Sequence, residues 1–273
     1  PVDRHVFAAL DWDWRAPINS MIKKGWVDVQ HEDAPALSPP EAPLFSPNSE
    51  QQAAIKAISK KQQAFQVFLL DGVTGSGKTE VYLQLIQQVI NNGKQVLILL
   101  PEITLTPQLA ERFRKRLATQ MVVSHSGLND SQRSQAWLRI KKGLANILLG
   151  TRSAVFTPMN APGMIIMDEE HDPSFKQQEG FRYSARNVAI MRARDYNIPI
   201  VLGSATPSLE SLHSVQQNQF THLVLTKRTA GASQPVIRLL DCRHQTLDNH
   251  LSPSLLNAIK KTLERNEQVI LFV

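Results

Sequence analysis

Residues 67–80, VFLLDGVTGSGKTE, constrain this chain more than any other stretch. Residues 67–70 are apolar without alternation, which suits a strand buried on both faces of a parallel sheet. Gly72, Val73, Thr74, Gly75, Ser76, Gly77, Lys78 and Thr79 follow at once and fit G-x-x-x-x-G-K-[ST], with Glu80 next. From there Val81, Tyr82, Leu85, Ile86, Val89 and Ile90 recur at helical spacing. Strand, glycine loop and helix, in that order, are the context this motif needs. Glycines let the backbone curl where a Cβ would clash, and the freed amides and helix N-terminus turn positive charge toward an anion. In this pattern Lys78 reaches the β and γ phosphates and the Thr79 hydroxyl serves Mg²⁺. An accidental match arises in roughly one chain in a hundred of this length, and the flanking strand and helix make it rarer. The motif specifies a nucleoside triphosphate and not its use.

With 273 residues there is room for one large α/β domain and a smaller one. No apolar run approaches the length of a membrane span, and the start, PVDRHVFAALDW, lacks the basic and apolar regions of a secretory signal. A single Cys242 allows neither an internal disulfide nor a cysteine-based zinc site, and reads as a reduced cytosolic thiol. Net charge is +6, and the part after residue 70 carries all of the excess. A basic nucleotide-binding part invites a polyanion, though many basic proteins bind no nucleic acid.

Residues 2–10 and 16–24 read as helices, the second ended by Lys23, Lys24 and Gly25, and residues 26–29 alternate like a short strand. That order fits the end of a winged helix and a plain helical extension equally. Trp12 and Trp14 read as core before they read as base-stacking rings. The proline-rich residues 34–47 form a stiff linker. Asn48 or Ser49 caps a helix over residues 50–60. Gln51 carries an amide that both donates and accepts, suited to an adenine edge or equally to solvent.

Beyond the glycine loop, strands are expected at residues 95–100, 121–124, 146–149, 164–167 and 198–202. Helices are expected at 107–118, 129–142, 184–195 and 207–216. This alternation calls for a parallel sheet covered on both faces, with ligand loops at the carboxyl ends of its strands. Arg112, Arg114, Lys115 and Arg116 read as a solvated helix face. Residues 223–225 read as the last strand of this lobe. Residues 235–240, a helix over 252–265 and residues 268–273 look like the start of another sheet.

The strand at 164–167 delivers Asp168, Glu169, Glu170 and His171. An Asp at such a strand end holds Mg²⁺ in phosphate-loop NTPases, and the next carboxylate is placed to deprotonate water. Successive residues alternate in direction, so the pair can divide those jobs; a charged turn is the plainer alternative. His171 could sense a γ-phosphate or be structural. Phe175, Lys176, Phe181, Arg182 and Tyr183 lie in one polar loop. Their mixture suits stacking on unpaired bases with phosphate contact, against a loop pinned by buried rings. GSATPS, residues 203–208, could relay a γ-phosphate change.

As an ordered set, GVTGSGKTEVY, PEITLTPQ, HSGLND, GTRSAVFTP, DEEHD, KQQEGFRY and GSATPS resemble the first motor lobe of the superfamily 2 helicases, and among them the bacterial helicases of replication restart. The resemblance covers residues 45–228 and is weaker on either side. It implies an α/β, RecA-like P-loop NTPase lobe with a central parallel sheet over residues 48–228. Before it come part of a winged helix (1–33) and the linker (34–47); after it comes the beginning of a second lobe (229–273). It implies a cytoplasmic bacterial enzyme that couples ATP hydrolysis, with Mg²⁺, to 3′-to-5′ DNA strand separation. It gives the nucleotide to Gln51 and the glycine loop through Glu80, Mg²⁺ to Thr79 and Asp168, and catalysis to Lys78, Asp168 and the base Glu169. His171 and Thr206 receive a coupling role, and Arg152, Lys176, Phe181, Arg182 and Tyr183 the DNA. Pro47 stands where the family more often has leucine. Implied partners are forked and single-stranded DNA, primosome proteins and single-stranded-DNA-binding protein, with no membrane. The zinc-binding cysteines of the family's second lobe and its distal arginine motif are not in this sequence. The chain therefore reads as a fragment that binds ATP or ADP and turns it over slowly. Two rivals are a duplex DNA translocase of the same superfamily and a non-catalytic DNA-binding module regulated by its nucleotide.

Overall fold

The computed structural model describes residues 15–26, 45–117, 119–228, 236–243, 245, 247 and 249–272. The helix expected at 2–10, Trp12, Trp14, residues 27–29 of the expected strand and residues 34–44 of the linker lie outside them. The chain divides into two compact units, Pro1–Ala230 and Gly231–Val273.

In the first unit, helix α1 covers Arg15–Lys23. Helix α2, Ser49–Ser59, opens on Asn48, whose side chain accepts from the Gln51 amide while the Gln51 side chain accepts from Asn48 N–H. This reciprocal box satisfies two donors that a helix start otherwise leaves unpaired. Strand β1, Gln66–Gly72, leads into α3, Lys78–Asn91. Then come β2 (Gln95–Leu99), α4 (Pro107–Arg116), β3 (Met121–Ser124), α5 (Asp130–Lys141) and β4 (Ile147–Gly150). A short 3₁₀ turn, Arg152–Phe156, precedes β5, Pro162–Met167.

The loop expected after the acids is a small antiparallel hairpin, β6 (Lys176–Gln177) against β7 (Tyr183–Ser184). It runs into α6, Ala185–Asp195, with Ser184 as cap. Strand β8 (Pro199–Ser204), α7 (Leu209–Gln216) and β9 (Phe220–Leu225) complete the unit. Helix α7 does not start at Pro207 as expected, because Ser208 is the cap residue and its extended backbone (ψ 150°) holds Pro207 outside the helix.

The seven main strands form one sheet in the order β3-β4-β2-β5-β8-β1-β9, every pair parallel. Phe68 and Leu70 pack with α2 and α3 on one face, while Val67 and Leu69 pack with α5 and α6 on the other. Alternate residues of β1 thus serve two cores, which is why its sequence does not alternate. Burying one such side chain contributes roughly 1.5–3 kcal/mol. Met167 is paired with Leu202 and Asp71 with Ser204, so β1, β5 and β8 end near one another at the same edge of the sheet.

In the second unit, α8 covers Pro253–Glu264, capped by Ser252 with Pro at its first turn. The strands expected at 235–240 and 268–273 do not form among the described residues. A strand needs a ladder partner for its amides, and among the described residues 236–240 and 268–272 none is paired; Leu239, Ile270 and Phe272 stand almost fully exposed.

Candidate nucleotide and nucleic-acid site

The turn from β1 into α3 is shaped by its glycines. A Cβ on Gly72 would lie 2.6 Å from Ser76 Oγ. Gly75 and Gly77 hold φ near +80°, where side chains are strained. Gly77 caps α3 with no side-chain bond, and of the first-turn amides that of Glu80 donates to Gly77 O at 2.9 Å. Lys78 Nζ donates to Gly72 O at 3.0 Å, and Ser76 Oγ is buried without a hydrogen-bond partner. A helix N-terminus without a side-chain cap, an ammonium and an orphaned hydroxyl fit a phosphate group. The loop opens on a cleft of about 1340 Å³ also lined by Gln51, Asp168, Glu169 and Arg112, Lys115 and Arg116 of α4.

Gln51 is buried and its amide is already engaged. Its Nε2 donates to Ser76 O at 2.8 Å while its Oε1 completes the α2 box. It therefore holds the phosphate loop against α2, with one proton and one lone pair left to face the cleft. A solvated position is excluded.

At the end of β5, Asp168 N–H donates to Leu99 O at 3.0 Å. The Tyr82 hydroxyl, from α3, donates to Asp168 Oδ1 at 2.8 Å. Burial pushes the Asp168 carboxyl above its ordinary range, Glu169 adds to that, and the Tyr82 bond and Lys78 pull it back. Burial, then the Asp168 charge, pushes the Tyr82 phenol well up. Glu169 has φ +48°. The two acids therefore do not differ by strand alternation alone: the strand ends at Met167, Glu169 is left-handed, and both side chains line the cleft.

His171 Nδ1 lies 2.7 Å from Ser204 Oγ and its Nε2 3.3 Å from Thr206 Oγ1. Its Nδ1 is also 3.7 Å from Glu169 Oε2. His171 and Thr206 thus meet beside the acids. No metal-sized cluster of three His, Cys, Asp or Glu side chains occurs among the described residues. Thr79 and Asp168 fit Mg²⁺ only in the manner of an ion that keeps waters and shares phosphate oxygens.

Glu80 faces a protein partner. Its Oε2 accepts from Arg116 Nη2 at 2.7 Å, each side chain 11% exposed, and its Oε1 accepts from Gln84 at 3.2 Å. Arg116 also stacks on the Phe45 ring at 4.7 Å. The solvated face expected on α4 holds for Arg112, Arg114 and Lys115, which are exposed, and is corrected only at Arg116, which is largely buried; Arg112, Lys115 and Arg116 border the cleft. A run of like charges in sequence carries no sign of this, because Glu80 lies 36 residues away.

The hairpin residues part ways. Phe175 is 2% exposed and pins the loop, whereas Phe181 is 77% exposed. Tyr183 is half-buried, its ring 5.9 Å from Phe181 and 4.9 Å from Phe156. Phe156, missed in the sequence, adds an exposed ring from the 3₁₀ turn. Arg152 Nη1 donates to Ser174 O and Lys176 O at 3.0 and 3.2 Å. That side chain braces the hairpin base. Lys176 is exposed, 3.5 Å from Glu210, and Arg182 is exposed.

The DEAD/DEAH box helicase family profile matches residues 48–215. The chain is 48% identical over 225 residues to the replication restart protein PriA of Haemophilus influenzae, covering 82% of this chain and 31% of that protein. It is 39% identical over 269 residues to that of Bacillus subtilis, covering 94% and 33%. The chain thus spans about a third of the length of the curated relatives it matches. Among solved structures, RecG bound to a three-way DNA junction superposes with a TM-score of 0.54 at 18% identity, over 70% of this chain and 25% of that one. The DUF1998 helicase MrfA bound to DNA and AMPPNP gives 0.51 at 16%, over 80% and 32%. At such identities these two establish the fold, a RecA-like lobe, and nothing more.

Proposed function

Because the chain belongs to the DEAD/DEAH box helicase family, we propose that it is the first motor lobe of an ATP-dependent DNA helicase of replication restart. The observation that carries this reading is the meeting of three strand ends: the phosphate loop after β1, Asp168 and Glu169 after β5, and Thr206 after β8.

Bound ATP supplies the phosphoanhydride, and Mg²⁺ neutralises charge on its phosphates. Lys78 leaves the Gly72 carbonyl for the β and γ phosphates, and the loop amides and Ser76 Oγ complete the cradle. Thr79 and Asp168 hold the metal, with Tyr82 fixing the Asp168 carboxylate. Glu169 accepts the proton of the attacking water. His171, bonded through Ser204 and Thr206, carries the change at the γ-phosphate toward β8 and α7. Gln51 turns its remaining amide proton and lone pair to the adenine edge.

Phe181, Tyr183, Lys176 and Arg182 take single-stranded DNA by stacking and phosphate contact, on a base braced by Arg152. The direction is 3′ to 5′, the substrate forked DNA. Primosome proteins and single-stranded-DNA-binding protein are the partners, and the compartment is the bacterial cytoplasm. Zinc belongs to the second lobe of such enzymes. The 273-residue chain by itself binds nucleotide and turns it over slowly, since a distal arginine is worth 10³–10⁵ in related phosphoryl transfer, roughly.

The test is Glu169→Gln in the full-length protein that carries this chain, with nucleotide binding, ATPase and unwinding of forked DNA measured together. Binding should persist while turnover and unwinding fall by about 10²-fold or more. Unwinding that survives would show that Glu169 is not the base and favour a nucleotide-regulated binding module.

A further inference from the structure

Glu170 is the one residue of the acid run that the reaction above does not use, and it is among the most enclosed charges in the lobe. Its side chain is 0% exposed and that of its partner Arg186 is 13% exposed. Oε2 accepts from Arg186 Nη1 at 3.0 Å, Ser211 Oγ at 2.9 Å and Ser208 Oγ at 3.1 Å. Oε1 accepts from Ser208 N–H at 2.7 Å, and the Glu170 amide donates to Gly203 O at 3.0 Å. Arg186 Nη1 also donates to Ser208 Oγ at 2.6 Å and Ser211 Oγ at 3.2 Å.

Three segments meet at this carboxylate. Glu170 directly follows Glu169. Arg186 sits in the first turn of α6, into which hairpin strand β7 runs without a break. Ser208 caps α7, two residues beyond Thr206. Enclosing an ion pair costs desolvation that an apolar cluster of the same shape would avoid, so adhesion alone does not account for it. What the pair adds is register: a short, fully bonded link allows little slack between the parts it joins.

We infer that the Glu170–Arg186 pair is the positioning link through which occupancy of the hairpin by single-stranded DNA sets the placement of Glu169. This rests on the proposed function. DNA that shifts the hairpin moves the start of α6, Arg186 moves with it, and Glu170 carries the displacement to the neighbouring base and to the α7 cap. In so far as DNA also changes nucleotide affinity, nucleotide must change the affinity for DNA by the same factor; stimulation of turnover carries no such equality.

The test uses the full-length protein with Glu170→Gln, Arg186→Gln, the double variant and Arg186→Lys. Nucleotide affinity and turnover are measured with and without single-stranded DNA. DNA affinity is measured with and without a non-hydrolysable ATP analogue. Nucleotide affinity and DNA-free turnover should stay within about threefold of wild type, while stimulation by DNA falls by about tenfold or more, inside the usual range of coupling between sites. The analogue's effect on DNA affinity should vanish, and the double variant should be no worse than the worse single. Should a single variant fail to fold, the charge-neutral double and the charge-retaining Arg186→Lys carry the measurement. Wild-type stimulation in Glu170→Gln, or equal loss of DNA-free and DNA-stimulated turnover, overturns the inference. A wild-type protein with no DNA-stimulated turnover overturns the proposed function itself, and is recognised before any variant is made.

Discussion

The Tyr82 hydroxyl donates to Asp168 Oδ1 at 2.8 Å, and it reaches that oxygen only because residue 203 is glycine. A Cβ on Gly203 would lie 1.7 Å from the Tyr82 oxygen and 3.0 Å from Asp168 Oδ1. One contact therefore ties the helix of the phosphate loop, the acid after β5 and the end of strand β8. Gly203→Ala should destabilise the lobe by about 1–3 kcal/mol through overpacking. Tyr82→Phe in the same chain should return part of that, since the oxygen goes but the ring carbon at 2.9 Å remains. A double-mutant cycle in urea measures the interaction; strictly additive losses would show that the two residues do not meet.

Asp168 gives a pH and stability prediction. Its folded carboxyl is raised, so its protonated form is favoured by folding. That contribution is present below the unfolded pKa and is lost as pH rises through the folded one. At neutral pH Asp168 is therefore a cost to the nucleotide-free fold. Asp168→Asn should raise the nucleotide-free melting temperature at pH 7 by on the order of a few degrees and abolish the further rise given by Mg²⁺ and nucleotide. Wild-type affinity for Mg-nucleotide should weaken as pH falls toward the raised pKa. A variant melting below wild type in the absence of nucleotide would contradict this reading.

The pair Glu80–Arg116 makes a separate claim on the cleft. Each side chain is 11% exposed, so removing one charge strands the other. Arg116→Ala should cost about 3–5 kcal/mol, as for other buried pairs broken on one side. The double variant Glu80→Gln, Arg116→Met should cost clearly less. Thermal or urea unfolding decides; a loss within about 0.5 kcal/mol for Arg116→Ala would place the pair with ordinary surface bridges.

Phe175 and Phe181, six residues apart, should fail in opposite assays. Phe175→Ala should destabilise by about 3–5 kcal/mol, the usual cost of emptying a buried aromatic site. Phe181→Ala should leave stability within about 0.5 kcal/mol and weaken single-stranded DNA binding by about 1–3 kcal/mol. Unchanged DNA affinity in Phe181→Ala would remove the hairpin from the nucleic-acid site.

The parts of this lobe that could be read from sequence are those made by neighbours in the chain. The phosphate loop is written in residues 72–79, since each glycine answers a local steric demand. Asp168 follows a buried strand with no gap, so its strand-end position was legible too. Most of the unread parts are contacts between distant segments. Gln51 reaches the Ser76 carbonyl, Arg116 reaches Glu80, and Arg152 spends its guanidinium on two main-chain oxygens. None of these leaves a periodic trace. The unpaired segments 236–240 and 268–272 misled for the opposite reason: apolar spacing gave a strand's propensity, but pairing depends on a neighbour.

The central question is whether the loop after β1 holds a nucleotide with help from Asp168. Calorimetric titration of the full-length protein with ATP and Mg²⁺ measures this directly. One-to-one binding is expected for wild type and for Glu169→Gln, with Lys78→Ala and Asp168→Asn each weakened by at least about tenfold, 1.4 kcal/mol. Wild-type affinity in both of the latter variants would contradict it.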